Sequence, residues 1–222
     1  MSFSQQWEQT YKNNLHMSVW PWSDLVSYVM RYVNTRQSKF KVLELGCGAG
    51  ANIPFFLSLS TEYYGVDGSQ TIIKKLKKKF PNIEKNLVLG DFTKTIPFKH
   101  NFNLIVDRSS ITHNSTKGIK NCLNMVYDKL KPNGFFIGID WFSTEHFEYK
   151  NGCKYVDKFT RNGYRSGKFK QVGKVHFSNK KHLQELLNKF KIIKLEHKII
   201  KTEIPNSKEK FASWNIVAKR IT

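Results

Sequence analysis

Short apolar runs and helical stripes alternate along the first two thirds of this chain. Runs at residues 40–45, 63–67, 87–91, 102–107 and 135–140 are of strand length and rich in Val, Ile, Leu and aromatics. Between them the apolar positions fall at helical spacing. Leu25, Val26, Val29, Met30 and Val33 form one stripe with Ser23 as its expected cap. Ile53, Phe55, Phe56 and Leu57 form a second, and Ile72, Ile73, Leu76 and Phe80 a third with Ser69 as cap. Ile119, Cys122, Leu123, Val126 and Leu130 form a fourth, which makes Cys122 a core residue. A last helix is expected over Leu183, Leu186, Leu187 and Phe190 with Ser178 as cap, and strands from residue 191 and over 214–219 close the chain. Strand and helix in alternation predict an α/β fold with a mostly parallel sheet of seven strands and helices on both faces.

The first strand stops at Gly46, Gly48 and Gly50, and a helix begins immediately afterwards. Glycine is needed where a turn takes positive φ and where a ligand approaches bare backbone. The spacing is G-x-G-x-G, one residue short of the dinucleotide fingerprint, and Glu44 stands two residues before the turn. An acid there suits a ligand with cationic or hydroxyl groups better than a pyrophosphate. At Glu44, Gly46, Gly48 and Gly50 the chain resembles the class I S-adenosylmethionine-dependent methyltransferases, whose first motif is E/D-x-G-x-G-x-G. The resemblance implies a doubly wound sheet ending in an antiparallel hairpin, and S-adenosylmethionine as cofactor, with Cys47 of the turn among its contacts.

Two further strands end in acids. Asp67 lies 17 residues past Gly50, near the distance at which a parallel sheet brings the second strand's end beside the first turn. Its carboxylate can accept hydrogen bonds from ribose hydroxyls, or can simply open the following turn. The resemblance implies the ribose role for Asp67 with Gly68 beside it, and implies that Asp91 and Phe92 meet the adenine. Three strand-end carboxylates, Glu44, Asp67 and Asp91, would be odd around a phosphate and are expected around a sulfonium, an amine and several hydroxyls.

By the switch-point rule, the ends of strands one and four open onto the reaction crevice. Asp107, Arg108, Ser109 and His113 follow strand four and are the polar groups expected nearest a methyl acceptor. Asp107 and Arg108 are also candidate cofactor contacts. His113, together with Asp107, is the candidate for removing a proton from an acceptor hydroxyl, and the alternative for His113 is plain packing. Leu130, Lys131, Pro132, Asn133 and Gly134 look like the family's L-K-P-G-G turn, with Asn133 for its first glycine. Asparagine also tolerates a left-handed turn.

Residues 1–36 hold a leading aromatic segment and a helix. In the resembling family such a segment folds over cofactor or substrate, which makes Trp7, Tyr11, His16 and Trp20 lid candidates. Residues 39–140 are the expected cofactor-binding core. Over 141–175 periodicity fades into a polar, aromatic and basic stretch with several glycines, expected as a long loop that selects the substrate. Arg161 and Arg165 are its candidates for an anionic group, since guanidinium pairs bidentately with phosphate or carboxylate. Residues 176–222 supply the closing helix and hairpin, so one domain of 222 residues is expected.

Charge narrows the partners. The chain carries 37 Lys and Arg against 17 Asp and Glu, a net +20, and residues 150–222 hold 19 of the basic and 5 of the acidic residues, a net +14. Such a field favours an anionic partner or merely a soluble surface. The first acceptor class is a small, anionic metabolite such as a sugar, sugar-phosphate or sugar-nucleotide, methylated at oxygen or nitrogen. RNA is the alternative, and a non-catalytic cofactor-binding subunit is a third. Cys47, Cys122 and Cys153 are too far apart to suggest a disulfide framework or metal site, and in-line methyl transfer needs no metal. Apolar runs are strand-sized, and the first residues lack the layout of a secretion signal, so a cytoplasmic protein without membrane insertion is expected. Nothing in the pattern sets an oligomeric state.

Overall fold

The structure is a computed structural model that describes residues 5–152, 154–207 and 209–221. Two helices lead, α1 (Gln5–Lys12) and α2 (Ser23–Tyr32). The alternating part follows as β1 (Lys41–Leu45), α3 (Ile53–Ser58), β2 (Glu62–Asp67), α4 (Gln70–Lys79), β3 (Leu87–Leu89), β4 (Phe102–Arg108), α5 (Thr116–Lys129) and β5 (Leu130–Phe142). Three short strands come next, β6 (Lys154–Tyr155), β7 (Thr160–Asn162) and β8 (Val175–His176), then α6 (Lys180–Leu186), β9 (Lys191–Lys201) and β10 (Lys210–Lys219).

The main sheet has seven strands in the order β3-β2-β1-β4-β5-β10-β9. Pairings from β3 to β5 are parallel, and β10 runs antiparallel to both β5 and β9. The sequence pattern is explained by the two faces this creates. Leu25, Val29, Ile53, Phe56, Ile72 and Leu76 bury the α2–α4 side against Val42, Leu104 and Val106. Ile119, Cys122, Leu123, Val126, Leu183 and Leu187 cover the other side against Leu43, Leu45 and Ile105. Strands covered on both faces read as nearly continuous apolar runs. The crossing point between β1 and β4 is where the order reverses, and it lies at the carboxyl ends of both strands.

Three local expectations change. Ser23 is the first residue of α2 and caps nothing; Trp22 precedes the helix, with its N–H donated to Asn52 Oδ1 at 3.3 Å. Ser178 is drawn into extended backbone opposite Ser143, so Asn179 caps α6 instead and accepts from the N–H of His182 at 2.9 Å. Ser69 does cap α4, accepting from Ile72 N at 3.2 Å. After α5 the chain enters β5 directly at Leu130, and the left-handed residue expected there is Asn133, at φ 62°.

The largest difference is in residues 141–175. A long loop was the expectation, yet β6, β7 and β8 form a small antiparallel sheet. Phe142, Tyr164, Phe169, Val172, Val175 and Phe177 gather into a separate buried cluster. These residues come from irregularly spaced positions, so no period marks them in the sequence, and tertiary packing alone assembles them. Cys153 lies outside the described residues.

Candidate active site

The cleft opens above the carboxyl ends of β1, β2 and β4. Gly46 and Gly48 turn the chain out of β1 at φ 66° and 48°. At Gly46 a Cβ would stand 2.2 Å from Ser110 Cβ, so only glycine fits between the two strand-end loops. At Gly48 it would stand 3.0 Å from the Tyr11 hydroxyl, across the hollow that both residues line. The turn is therefore a cradle of bare backbone roofed by α1.

Acids ring it. Glu44 is 3% exposed and accepts from Asn52 Nδ2 at 2.7 Å and Tyr63 Oη at 2.6 Å. Burial outweighs those bonds and lifts its carboxyl to about 7. Asp67 accepts from the N–H groups of Gly48 at 3.0 Å and Ser69 at 2.9 Å, and burial lifts it to about 6. Asp91 accepts from Thr93 N and Oγ1 at 3.1 and 2.7 Å, beside a buried Phe92. Glu44, Gly46, Cys47, Gly48, Asp67, Gly68, Asp91 and Phe92 all line the cleft.

The other side of the cleft is built by the loop after β4 and by more distant segments. Arg108 lines the cleft with its guanidinium 3.5 Å from the Trp22 ring centre and 3.3 Å from Asp140 Oδ2. His113 places Nδ1 3.0 Å from the carbonyl oxygen of Lys174, so Nδ1 carries the proton and Nε2 keeps the lone pair. Burial lowers its pKa to about 4, which leaves the ring neutral at pH 7. The Trp7 and Phe142 rings pack edge-on to it at 5.0 and 6.1 Å.

The leading helix forms part of the cleft wall. Glu8 clasps the start of α4, accepting from Ser69 Oγ at 2.5 Å, Thr71 Oγ1 at 2.5 Å and Thr71 N at 3.3 Å. Lys75 Nζ donates to the Tyr11 carbonyl at 2.8 Å. These contacts bring Trp7, Tyr11 and His16 into the cleft wall.

Four expected site residues stand elsewhere. Asp107 is fully buried under the cleft floor, where it accepts from Ile111 N at 3.0 Å, Trp141 Nε1 at 2.7 Å and Ser110 N at 3.1 Å, and also from Ser110 Oγ. It braces the β4 loop and does not line the cleft, so neither the base nor the cofactor role fits it. Arg161 is 4% exposed, donates to the carbonyls of Asp157, Lys158 and Thr160, and stacks on Tyr149 and Tyr155; its charge serves the small sheet. Arg165 is exposed and outside the cleft lining, as is Trp20 at 81% exposure. Trp22, Asn52, Phe142, Lys168 and Phe211 do line it and were not singled out by the sequence. Asn52 could have been found from its place two residues after the glycine turn. Phe211 could not, because it arrives from a hairpin about 160 residues downstream of that turn.

A seven-stranded sheet of this order, with its glycine turn and strand-end acids on one cleft, has the Rossmann-like architecture of methyltransferases. Residues 42–134 match the family described as methyltransferase domain. A S-adenosylmethionine-dependent methyltransferase from Methanosarcina mazei superposes with a TM-score of 0.67 at 16% identity, covering 91% of this chain and 99% of that one. Another, from Clostridium acetobutylicum, gives 0.63 at 16% identity over 98% and 92% of the two chains. The N-methyltransferase NodS from Bradyrhizobium japonicum, solved with S-adenosyl-L-homocysteine, gives 0.61 at 10% identity over 89% and 86%. No curated protein matches the sequence. The chain thus shares the fold of these S-adenosylmethionine-dependent methyltransferases, and residues 42–134 match the methyltransferase domain family. Among the described residues no group of three or more His, Cys, Asp or Glu could hold a metal ion, and no helix is long and apolar enough to cross a membrane.

Proposed function

We propose that the enzyme methylates an oxygen or nitrogen of a small, anionic acceptor, with His113 facing the acceptor and the glycine turn holding the cofactor. The cradle at Gly48 and the acids Glu44, Asp67 and Asp91 fit S-adenosylmethionine by chemistry: a cation with an amine and hydroxyls meets carboxylates and open backbone. When bound, the cofactor supplies an electrophilic methyl on a sulfonium. In this reading Asp67 accepts from the ribose hydroxyls, Asp91 and Phe92 meet the adenine, and Glu44, with Gly46, Cys47 and Gly68 around it, faces the cationic end.

The protein's part is then positioning. Trp7 and Tyr11 roof the cleft from one side, and Phe142, Phe169 and Val172 wall the other, which excludes water and orients the acceptor for in-line attack. His113 Nε2 takes a hydrogen bond from the acceptor and its proton as the bond to the methyl forms. The observation that carries the reading is that neutral imidazole, its tautomer fixed by the Lys174 carbonyl, on the wall of the roofed cleft. The roof also favours a small acceptor over a folded RNA.

The test incubates the purified protein with methyl-labelled cofactor and a small-molecule cell extract, in parallel with total RNA. Label in a small product retained on an anion-exchange column is expected. Label confined to the RNA, or a neutral product, would overturn the acceptor assignment.

A further inference from the structure

We propose that Lys168 is the residue that selects the acceptor by its acidic group, in a groove that continues the cleft beneath the β9–β10 hairpin; this rests on the anionic acceptor proposed above. A second hollow adjoins the cleft and shares four of its wall residues, Trp22, Asp140, Lys168 and Phe211. Its remaining walls include Lys198 and Ile200 of the hairpin. An acceptor that puts its nucleophile near His113 has this groove for the rest of its body.

The charges of the groove are unequal in their commitments. Lys198 Nζ lies 2.6 Å from both Asp24 Oδ2 and Asp140 Oδ1, and Arg108 lies 3.3 Å from Asp140 Oδ2, so those two cations and two carboxylates neutralise one another. Lys168 has no carboxylate within 4.0 Å among the described residues. Glu148, beside it, is buried and directs its oxygens to the N–H groups of Lys168 at 2.7 Å and Phe169 at 3.3 Å. Glu209 is exposed on the outer wall. The Lys168 ammonium stands 5.7 Å from the Phe211 ring centre, and Trp22 shares the same rim. A cation with no carboxylate within 4.0 Å, which faces the charge of Glu148 only at longer range and lies next to aromatic surface, suits a molecule that joins a flat or apolar body to a carboxylate, phosphate or sulfonate. The arginines expected in that role, Arg161 and Arg165, stand outside both hollows.

The test uses 8-anilinonaphthalene-1-sulfonate, an aromatic sulfonate, titrated by fluorescence into the whole protein loaded with S-adenosylhomocysteine. Lys168→Gln is expected to weaken the probe about tenfold, Glu209→Gln to tighten it by removing a like charge, and Lys170→Gln, a neighbouring exposed lysine outside both hollows, to leave it within about twofold. Affinity for S-adenosylhomocysteine, measured by calorimetry, stays the same in all three. Equal probe affinity in wild type and Lys168→Gln, or an equal loss in Lys170→Gln, overturns the proposal. The labelled extract gives a second arm: Lys168→Gln should label the anionic product about tenfold more slowly in dilute extract and recover as the extract is concentrated. An anionic product labelled at the wild-type rate at every dilution would sink the subsite and leave the function standing. A neutral or RNA-borne product would sink both.

Discussion

Replacing Glu44 by glutamine should remove a pH dependence that a buried carboxylate imposes on this fold. Burial, with smaller contributions from Asp107 and Asp67, lifts Glu44 from 4.5 to about 7 against the hydrogen bonds of Tyr63 and Asn52. A folded-state value above the unfolded one means that the folded protein keeps a proton the unfolded chain gives up. The stability tied to this group is therefore full below pH 4.5 and is lost as pH rises through 7. At about 1.4 kcal/mol per pH unit the whole effect is about 3 kcal/mol, of which about 2 kcal/mol falls between pH 5.5 and 8. Asp67 and Asp107, both lifted to about 6 by burial, add slopes of the same sign at lower pH, and these persist in the variant. Urea unfolding of the cofactor-free protein at pH 5.5 and 8 measures the difference. Wild type should lose about 2 kcal/mol more than Glu44→Gln over that interval. The functional consequence has the same origin: a cation in the cleft favours the ionised form. At pH 7 S-adenosylmethionine should expel about half a proton from Glu44 in wild type, a release that Glu44→Gln lacks, read by calorimetry in two buffers of different ionisation heat. Equal slopes, or equal proton release, would refute the reasoning.

Three other outcomes follow from the site. His113→Asn should slow methyl transfer by about 100-fold while S-adenosylhomocysteine binds as in wild type, and because burial holds His113 at about 4, wild-type activity should show no acid limb near pH 6.5; an unchanged rate removes His113 from the mechanism. Gly46→Ala should destabilise the protein by about 2–4 kcal/mol, from a φ of 66° and a Cβ 2.2 Å from that of Ser110, and Ser110→Gly in the same chain should recover part of the loss by urea unfolding; full additivity would show that the two loops do not meet. Glu8→Ala removes three hydrogen bonds between α1 and α4, so protease nicking near residue 12 should quicken and S-adenosylhomocysteine bind about tenfold more weakly; equal protection in both proteins would show that Glu8 does not hold the lid.

The sheet, the glycine turn and the acids at strand ends were legible because each is local. Strands buried on both faces declare themselves as apolar runs, and a turn that admits only glycine declares itself by the glycines at 46, 48 and 50. Strand order then carries Glu44, Asp67 and Asp91 to one edge without further information. What the sequence could not rank was which polar residue beyond a strand faces the cleft. Asp107 and Arg108 are neighbours, yet one is buried under Trp141 and Ser110 and the other turns to Trp22 and Asp140.

Sequence by itself determined the class of fold and the half of the cleft lined by the glycine turn and the strand-end acids, since the groups concerned follow their own strands within a few residues. Tertiary structure alone decided the other half. Trp7 from α1, His113 after β4, Lys168 from the small sheet's loop and Phe211 from the hairpin become neighbours only when four separate segments pack. No period or motif records that meeting, because side chains at such separations are brought together by the burial of the core behind them and not by any pattern of their own.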